Sequence, residues 1–323
     1  MHGVRLPGIN TFTATTAGWG FFFCTDKSVR TGRGGEYIAL TLSDASGAVA
    51  GRVFDNVDRL RDEFEAGEFV KVQGRANLFN GRLQFIVEQI RRAMPSADSQ
   101  DRRDGFDEAA LIPSAARPID EMWAELQQVI SEVGHPAIRM LLQQITATHE
   151  ARMRIWPAGR AVHHAYRGGF LEHVLTMSVV GRQLALIYGA NADLIVAGAV
   201  LHDMGKLQEL HYDTTTTYTR DGNLVGHVTL GALLVHDATR AIPEFPEALR
   251  TEITHLVVSH HGAKEFGAPV EPMTAEAFIL AAVDELDATL NQVRRAVSQD
   301  DSGSEFTQYH SRLGRVLWKG PSG

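Results

Sequence analysis

The spacing of apolar and polar positions changes character once along the chain, near residue 118. Before that point the repeat is two. Glu36 to Ser43 (EYIALTLS) alternates as a half-buried strand does, Ala48 to Phe54 reads as another strand, and Phe21-Phe22-Phe23-Cys24 is a buried-strand run. Turns fall at Gly32-Arg33-Gly34-Gly35 and at Asp44-Ala45-Ser46-Gly47. Asn56 to Glu65 predicts a short helix with Val57, Leu60 and Phe64 on one face. Glu68 to Ala76 and Leu83 to Ile90, joined by a turn at Asn80-Gly81, predict a closing hairpin. Residues 1–16 show no clear pattern.

Three strands, a helix and two strands are the order of a five-stranded OB-fold β-barrel, predicted over residues 1–93. Residues 94–118 are polar, charged and Pro-containing, and are read as a linker. From Ile119 the spacing is helical. Helices are predicted at 119–133, 136–150, 169–188, 191–202, 225–240, 247–260 and 274–296, with no strand pattern of comparable strength. The fold class is therefore multidomain: the barrel, the linker, and an all-α domain over 119–323.

Charge divides along the same line. Residues 1–93 carry 12 Lys+Arg against 10 Asp+Glu, and the remainder 19 against 29. An acidic helical part argues against a broad nucleic-acid face there and suits a site that collects cations. The barrel is the better place to meet a polyanion. Its candidates are Lys27, Arg30, Arg33, Arg52, Arg75 and Arg82 beside Phe54, Phe79 and Phe85, since such barrels hold single strands with basic and aromatic side chains. A single cysteine, Cys24, excludes an internal disulfide and reads as a buried small side chain. The absence of a secretory start and of a continuous apolar run of about 18 residues points to the cytoplasm and away from membranes.

The helical part holds His173, the pair His202-Asp203, His227, the pair His260-His261 and Asp284, each on a predicted helix or at its end. Five imidazoles and two carboxylates exceed what one divalent ion takes, and with a bridging carboxylate they suit two. Paired cations of this kind serve phosphoester hydrolysis, activating water and neutralising charge on the phosphoryl oxygens.

The ordered set H…HD…H…HH…D resembles the HD-domain phosphohydrolases. HHAYRGGFLEH at 163–173, LHDMGKL at 201–207, YTRDGNLVGH at 218–227, SHHG at 259–262 and VDELDATLN at 283–291 resemble the YhaM-type 3′-to-5′ exoribonucleases, in which an OB-fold precedes the HD domain. The resemblance implies that His173, His202, Asp203 and Asp284 hold one metal. It implies that Asp203 bridges to a second, held also by His227, His260 and His261. It points to Mn²⁺, with Fe, Co or Mg compatible with the same donors. It implies a phosphate or leaving-group contact for Lys206, and substrate contacts for His163, His164, Tyr166 and Arg167.

Two departures stand out. GAKEFGAP after His261 has Ala268 where the family more often has Ser, and the GYP signature of cyclic-dinucleotide phosphodiesterases is absent. The expected activity is cleavage of single-stranded RNA from its 3′ end, with single-stranded DNA as a further candidate strand and a homo-oligomer as a candidate assembly. The alternatives are hydrolysis of small nucleotides and non-catalytic binding of single strands.

Overall fold

Five strands form where the period of two predicts them: β1 (Ala17–Gly32), β2 (Gly35–Asp44), β3 (Gly47–Val53), β4 (Phe69–Phe79) and β5 (Arg82–Arg92). The computed structural model closes them into a barrel in the order β1-β2-β3-β5-β4. Within the barrel β3 and β5 pair in parallel, and the other neighbouring strands pair antiparallel. The structure describes residues 3–32, 35–79, 81–94, 96, 98–112, 114–159, 164, 166–212, 216–300 and 304–320.

Alternation sets the barrel core. Phe22, Cys24, Ile38, Leu40, Leu42, Val49, Val53, Val70, Val72 and Phe85 form one buried cluster, joined by Leu6 and Ile9 from the stretch that shows no pattern in sequence. Between β3 and β4 lies α1 (Val57–Leu60), shorter than predicted. Lys27 Nζ donates to the carbonyls of Arg61 and Phe64, so those oxygens are satisfied outside a further helical turn. Phe64 is still fully buried.

Successive strand residues face opposite sides, so Phe22 pointing inward sends Phe21 and Phe23 outward. That outer apolar face is covered. Phe106 and Leu111, from the stretch read as a linker, pack with Phe21, Phe23 and Ala93. The short helix α2 (Gln100–Arg103) brings Asp101 onto Arg91 at 2.6 Å and onto the buried Lys71 at 3.3 Å, while Asp104 reaches Lys71 at 2.5 Å. Burial alone would raise the Asp101 carboxyl, but hydrogen bonds from Arg91 and the Met94 N–H outweigh it and hold the group at about 2. Contacts group the chain into two compact units. One compact unit is Met1–Pro113 with Arg295–Gly323, and the other is Ser114–Arg294.

The second unit contains α3 (Ile119–Ser131), α4 (Pro136–Met153), α5 (Gly169–Tyr188), α6 (Ala192–Leu201), α7 (Lys206–Glu209), α8 (Arg220–Leu224), α9 (His227–Ala241), α10 (Glu247–Ser259) and most of α11 (Ala275–Gln299). A three-residue hairpin, β6 (Leu210–Tyr212) with β7 (Thr216–Tyr218), is an exception to the all-helical expectation. Leu194 to Leu201 are all buried, so α6 is apolar all round and central. Helix α5 is long and apolar enough to cross a membrane by length and composition, and half of that stretch is buried inside the protein. Glu172, His173 and Arg182 interrupt it, so it is not a continuous apolar run.

Candidate metal centre

The buried end of α6 delivers His202 and Asp203 into the middle of the helical unit. Around them stand His173 in the second turn of α5, His227 at the start of α9, His260 and His261 just past α10, and Asp284 on α11. The seven residues named from sequence come together in two groups. In the first, His173 Nε2 lies 3.3 Å from His202 Nε2 and 3.3 Å from Asp284 Oδ1. In the second, His227 Nε2 lies 3.3 Å from His261 Nε2, and His260 completes the cluster. Asp203 sits between them. Its Oδ2 is 3.3 Å from His202 Nε2 and 3.8 Å from His173 Nε2, and its Oδ1 is 3.7 Å from both His227 Nε2 and His260 Nε2.

The donor set fits cations. Asp203 Oδ1 and His260 Nε2 are buried without a hydrogen-bond partner, which is costly unless something positive lies between them. Four imidazoles have their far nitrogen anchored. His202 Nδ1 donates to the Ala199 carbonyl at 2.9 Å and His260 Nδ1 to the Val257 carbonyl at 2.6 Å. His227 Nδ1 lies 3.0 Å from Glu209 Oε1, and His173 Nδ1 lies 2.7 Å from Asp287 Oδ2. A proton on Nδ1 leaves the Nε2 lone pair facing the centre, the arrangement metal-binding histidines use.

Electrostatics follow from burial opposed by charge. Burial by itself would raise the Asp203 carboxyl, but the Lys206 ammonium, 2.6 Å from Oδ2, and the surrounding imidazoles hold it well below the usual carboxylate range. Burial, reinforced by His202, pushes His260 down to about 3, so it is a neutral donor across the physiological range. His173 goes the other way: burial would lower it, but Asp284 and Asp287 outweigh burial and push it up to about 9. Without a cation His173 is therefore protonated at pH 7, and ligation must expel that proton. Mn²⁺ titrated calorimetrically into metal-free protein at pH 7, in buffers of different ionisation enthalpy, is expected to show proton release. Affinity for that position should rise about tenfold per pH unit and level off above pH 9. A pH-independent affinity between 7 and 9 would contradict this.

Two residues expected at the substrate are engaged by other side chains. His164 is buried, with Nε2 on Asp287 and Nδ1 near Glu172. The Tyr166 hydroxyl donates to Glu172. Both are tied to Asn291 on α11, which accepts the His164 N–H and donates to the Tyr166 hydroxyl. Arg167 is half-buried and its carbonyl accepts from the Ala115 N–H. His163 and Arg33 lie outside the described residues. On the barrel, Phe54 and Phe79 are 54% and 61% exposed, whereas Phe85 is core at 0% and so is not a binding residue. Arg52 packs over Tyr37, whose ring stacks on Phe54 at 5.6 Å. Tyr37 is not among the sequence candidates, although the alternation of EYIALTLS already puts it opposite Ile38 and Leu40. Lys27 is engaged by backbone carbonyls, Arg75 lies 3.8 Å from Glu88, and Arg30 and Arg82 are exposed.

A closed five-stranded barrel and a helical unit with His and Asp donors gathered at the end of a central helix define an HD-domain protein carrying an OB-fold. Residues 170–289 match the HD domain family, and residues 24–93 match the OB-fold nucleic acid binding domain family. The chain is 32% identical over 277 residues to the 3′-5′ exoribonuclease YhaM of Bacillus subtilis (strain 168), covering 85% of both chains. It is 30% identical over 294 residues to the protein of the same name from Oceanobacillus iheyensis, covering 89% of both. The chain belongs to the YhaM family of 3′-5′ exoribonucleases.

Proposed function

We propose that this chain is a metal-dependent 3′-to-5′ exoribonuclease that hydrolyses single-stranded RNA at a two-cation centre. The observation that carries the reading is the Asp203 carboxylate, whose two oxygens face two separate His clusters in a chain that also has a nucleic-acid-binding barrel. Two bound cations, Mn²⁺ by donor type and family, supply Lewis acidity for attack by water on phosphorus and for the charge on the phosphoryl oxygens.

The protein's own groups do the rest. His173, His202 and Asp284 hold one position, His227, His260 and His261 the other, and Asp203 holds both. Lys206 is half-buried against Asp203, and burial opposed by that carboxylate leaves its ammonium pKa raised, so it stays charged. It is placed to donate to a phosphate oxygen or to the departing 3′ oxygen. Water adds to phosphorus, the bond from phosphorus to the 3′ oxygen of the preceding nucleotide breaks, and a nucleoside 5′-monophosphate leaves. Phe54 with Tyr37, and Phe79 at the β4–β5 tip, offer stacking surfaces to bases, with Arg52 and Arg82 toward the backbone.

The test is gel analysis of 5′-labelled single-stranded RNA and DNA with Mn²⁺. A ladder of products shortened from the 3′ end supports the reading, and internal cuts or no shortening overturn it. Phe54→Ala and Phe79→Ala are each expected to weaken binding of single-stranded RNA about tenfold, as loss of one base stack does. Turnover of a small chromogenic phosphodiester should be unchanged. Equal loss on both substrates would argue for a small-nucleotide hydrolase whose barrel serves another purpose.

A further inference from the structure

Behind His173 lies a connected set of polar side chains. Asp287 Oδ2 is shared by two imidazoles, His173 Nδ1 at 2.7 Å and His164 Nε2 at 2.9 Å. On its far side His164 Nδ1 is 3.0 Å from Glu172 Oε2 and 2.9 Å from the Tyr166 hydroxyl. Asn291 ties the set to the main chain. Its Oδ1 accepts the His164 N–H at 2.9 Å, and its Nδ2 donates to the Tyr166 hydroxyl at 3.1 Å.

The backbone is built to hold His164 there. Its φ of 45° lies in the left-handed region, which a side-chain-bearing residue occupies only when its surroundings enforce it. The Ala158 N–H donates to the His164 carbonyl at 3.1 Å. Gly169 passes so close that a Cβ there would stand 2.0 Å from that same carbonyl oxygen, which requires glycine. A carboxylate hydrogen-bonded to a single imidazole can swing about its own torsions. Asp287 is pulled from two sides, so the ring it supports has one orientation.

We propose that His164, acting through Asp287 and held by Glu172, Tyr166 and Asn291, is a positioning residue for His173 that sets how tightly the first cation is bound and does not contact RNA. This rests on the reading of His173 as a metal ligand. A substrate contact needs access, and the His164 residue is 2% exposed.

The experiment measures Mn²⁺ binding to the full chain by calorimetry without RNA, and RNA binding separately in EDTA. His164→Ala is expected to weaken one Mn²⁺ equivalent by about 10- to 100-fold, as loss of an outer partner does. His164→Gln, whose amide nitrogen replaces Nε2 as donor to Asp287, should recover most of that loss. RNA affinity in EDTA should be unchanged in both. Should His164→Ala fail to fold, Asp287→Asn decides, since it keeps an oxygen for both imidazoles and removes the charge. About a tenfold loss of Mn²⁺ affinity is then expected. A folded His164→Ala or Asp287→Asn protein with unaltered Mn²⁺ affinity overturns the proposal alone, and weaker RNA binding in EDTA assigns His164 to the substrate instead. Absence of Mn²⁺ binding by the unaltered chain overturns the functional reading and this proposal together.

Discussion

Asp203→Ala is expected to lower 3′-end shortening of single-stranded RNA in Mn²⁺ by about 10³-fold or more, because several kcal/mol of charge stabilisation disappear with the cations. Removing any one imidazole takes a donor from a single cluster. Removing Asp203 takes a donor from both, because Oδ1 faces His227 and His260 while Oδ2 faces His202 and His173. It also strips the half-buried Lys206 of its 2.6 Å partner. Two measurements separate these losses. Elemental analysis of the purified variant should show fewer than one Mn²⁺ per chain, and RNA binding in EDTA should match the unaltered protein, since the barrel is untouched. Full activity in Asp203→Ala would remove the two-cation centre from consideration.

Gly205→Ala is expected to cost about 100-fold in activity without removing any ligand, the penalty that a displacement of about 1 Å at a reacting centre carries. The segment after His202-Asp203 runs against the backbone of α9, and a Cβ on Gly205 would stand 1.9 Å from the His227 carbonyl oxygen. That oxygen is main chain and cannot rotate away. The added methyl must push α9, with His227 at its first position, away from Asp203, or push Asp203 off its own cluster. Overpacking of this kind also destabilises by about 1–3 kcal/mol. Thermal unfolding with and without Mn²⁺ checks both effects: a lower midpoint, and a smaller rise on adding the metal. Wild-type activity with a normal Mn²⁺ response would show that α9 can yield freely.

The candidate donors are legible in the sequence because metal donors come from few residue types, and their order along the chain survives folding. Their supports are not. Glu209 and Asp287 sit on helices, where an acidic residue ordinarily means a solvated face, and nothing in their spacing says that His227 and His173 lean on them. For His164 and Tyr166 the family motif implies substrate contact and nothing in it marks burial, yet His164 is buried in the left-handed region. On the barrel, five strands follow from alternation, whereas the role of residues 94–113 does not. Their polar composition hides Phe106 and Leu111, and the need for a cover emerges only once Phe21 and Phe23 are seen to face outward. The β6–β7 hairpin, three residues a side, is too short to leave a periodic mark.

The first unit draws on residues up to 113 and from 295 onward, with the whole helical unit between them. During synthesis this sets an order of maturation. At roughly 5–20 residues per second, on the order of ten to forty seconds pass between the ribosome leaving the first part of the barrel unit and reaching the second. Every candidate donor of a metal centre lies within that interval. The helical unit can thus fold and bring its candidate donors together while the barrel unit still lacks the segment where Lys319 pairs with Asp300 and the Thr307 N–H meets the Leu317 carbonyl. The unit with the candidate metal donors is complete before the unit that carries the barrel.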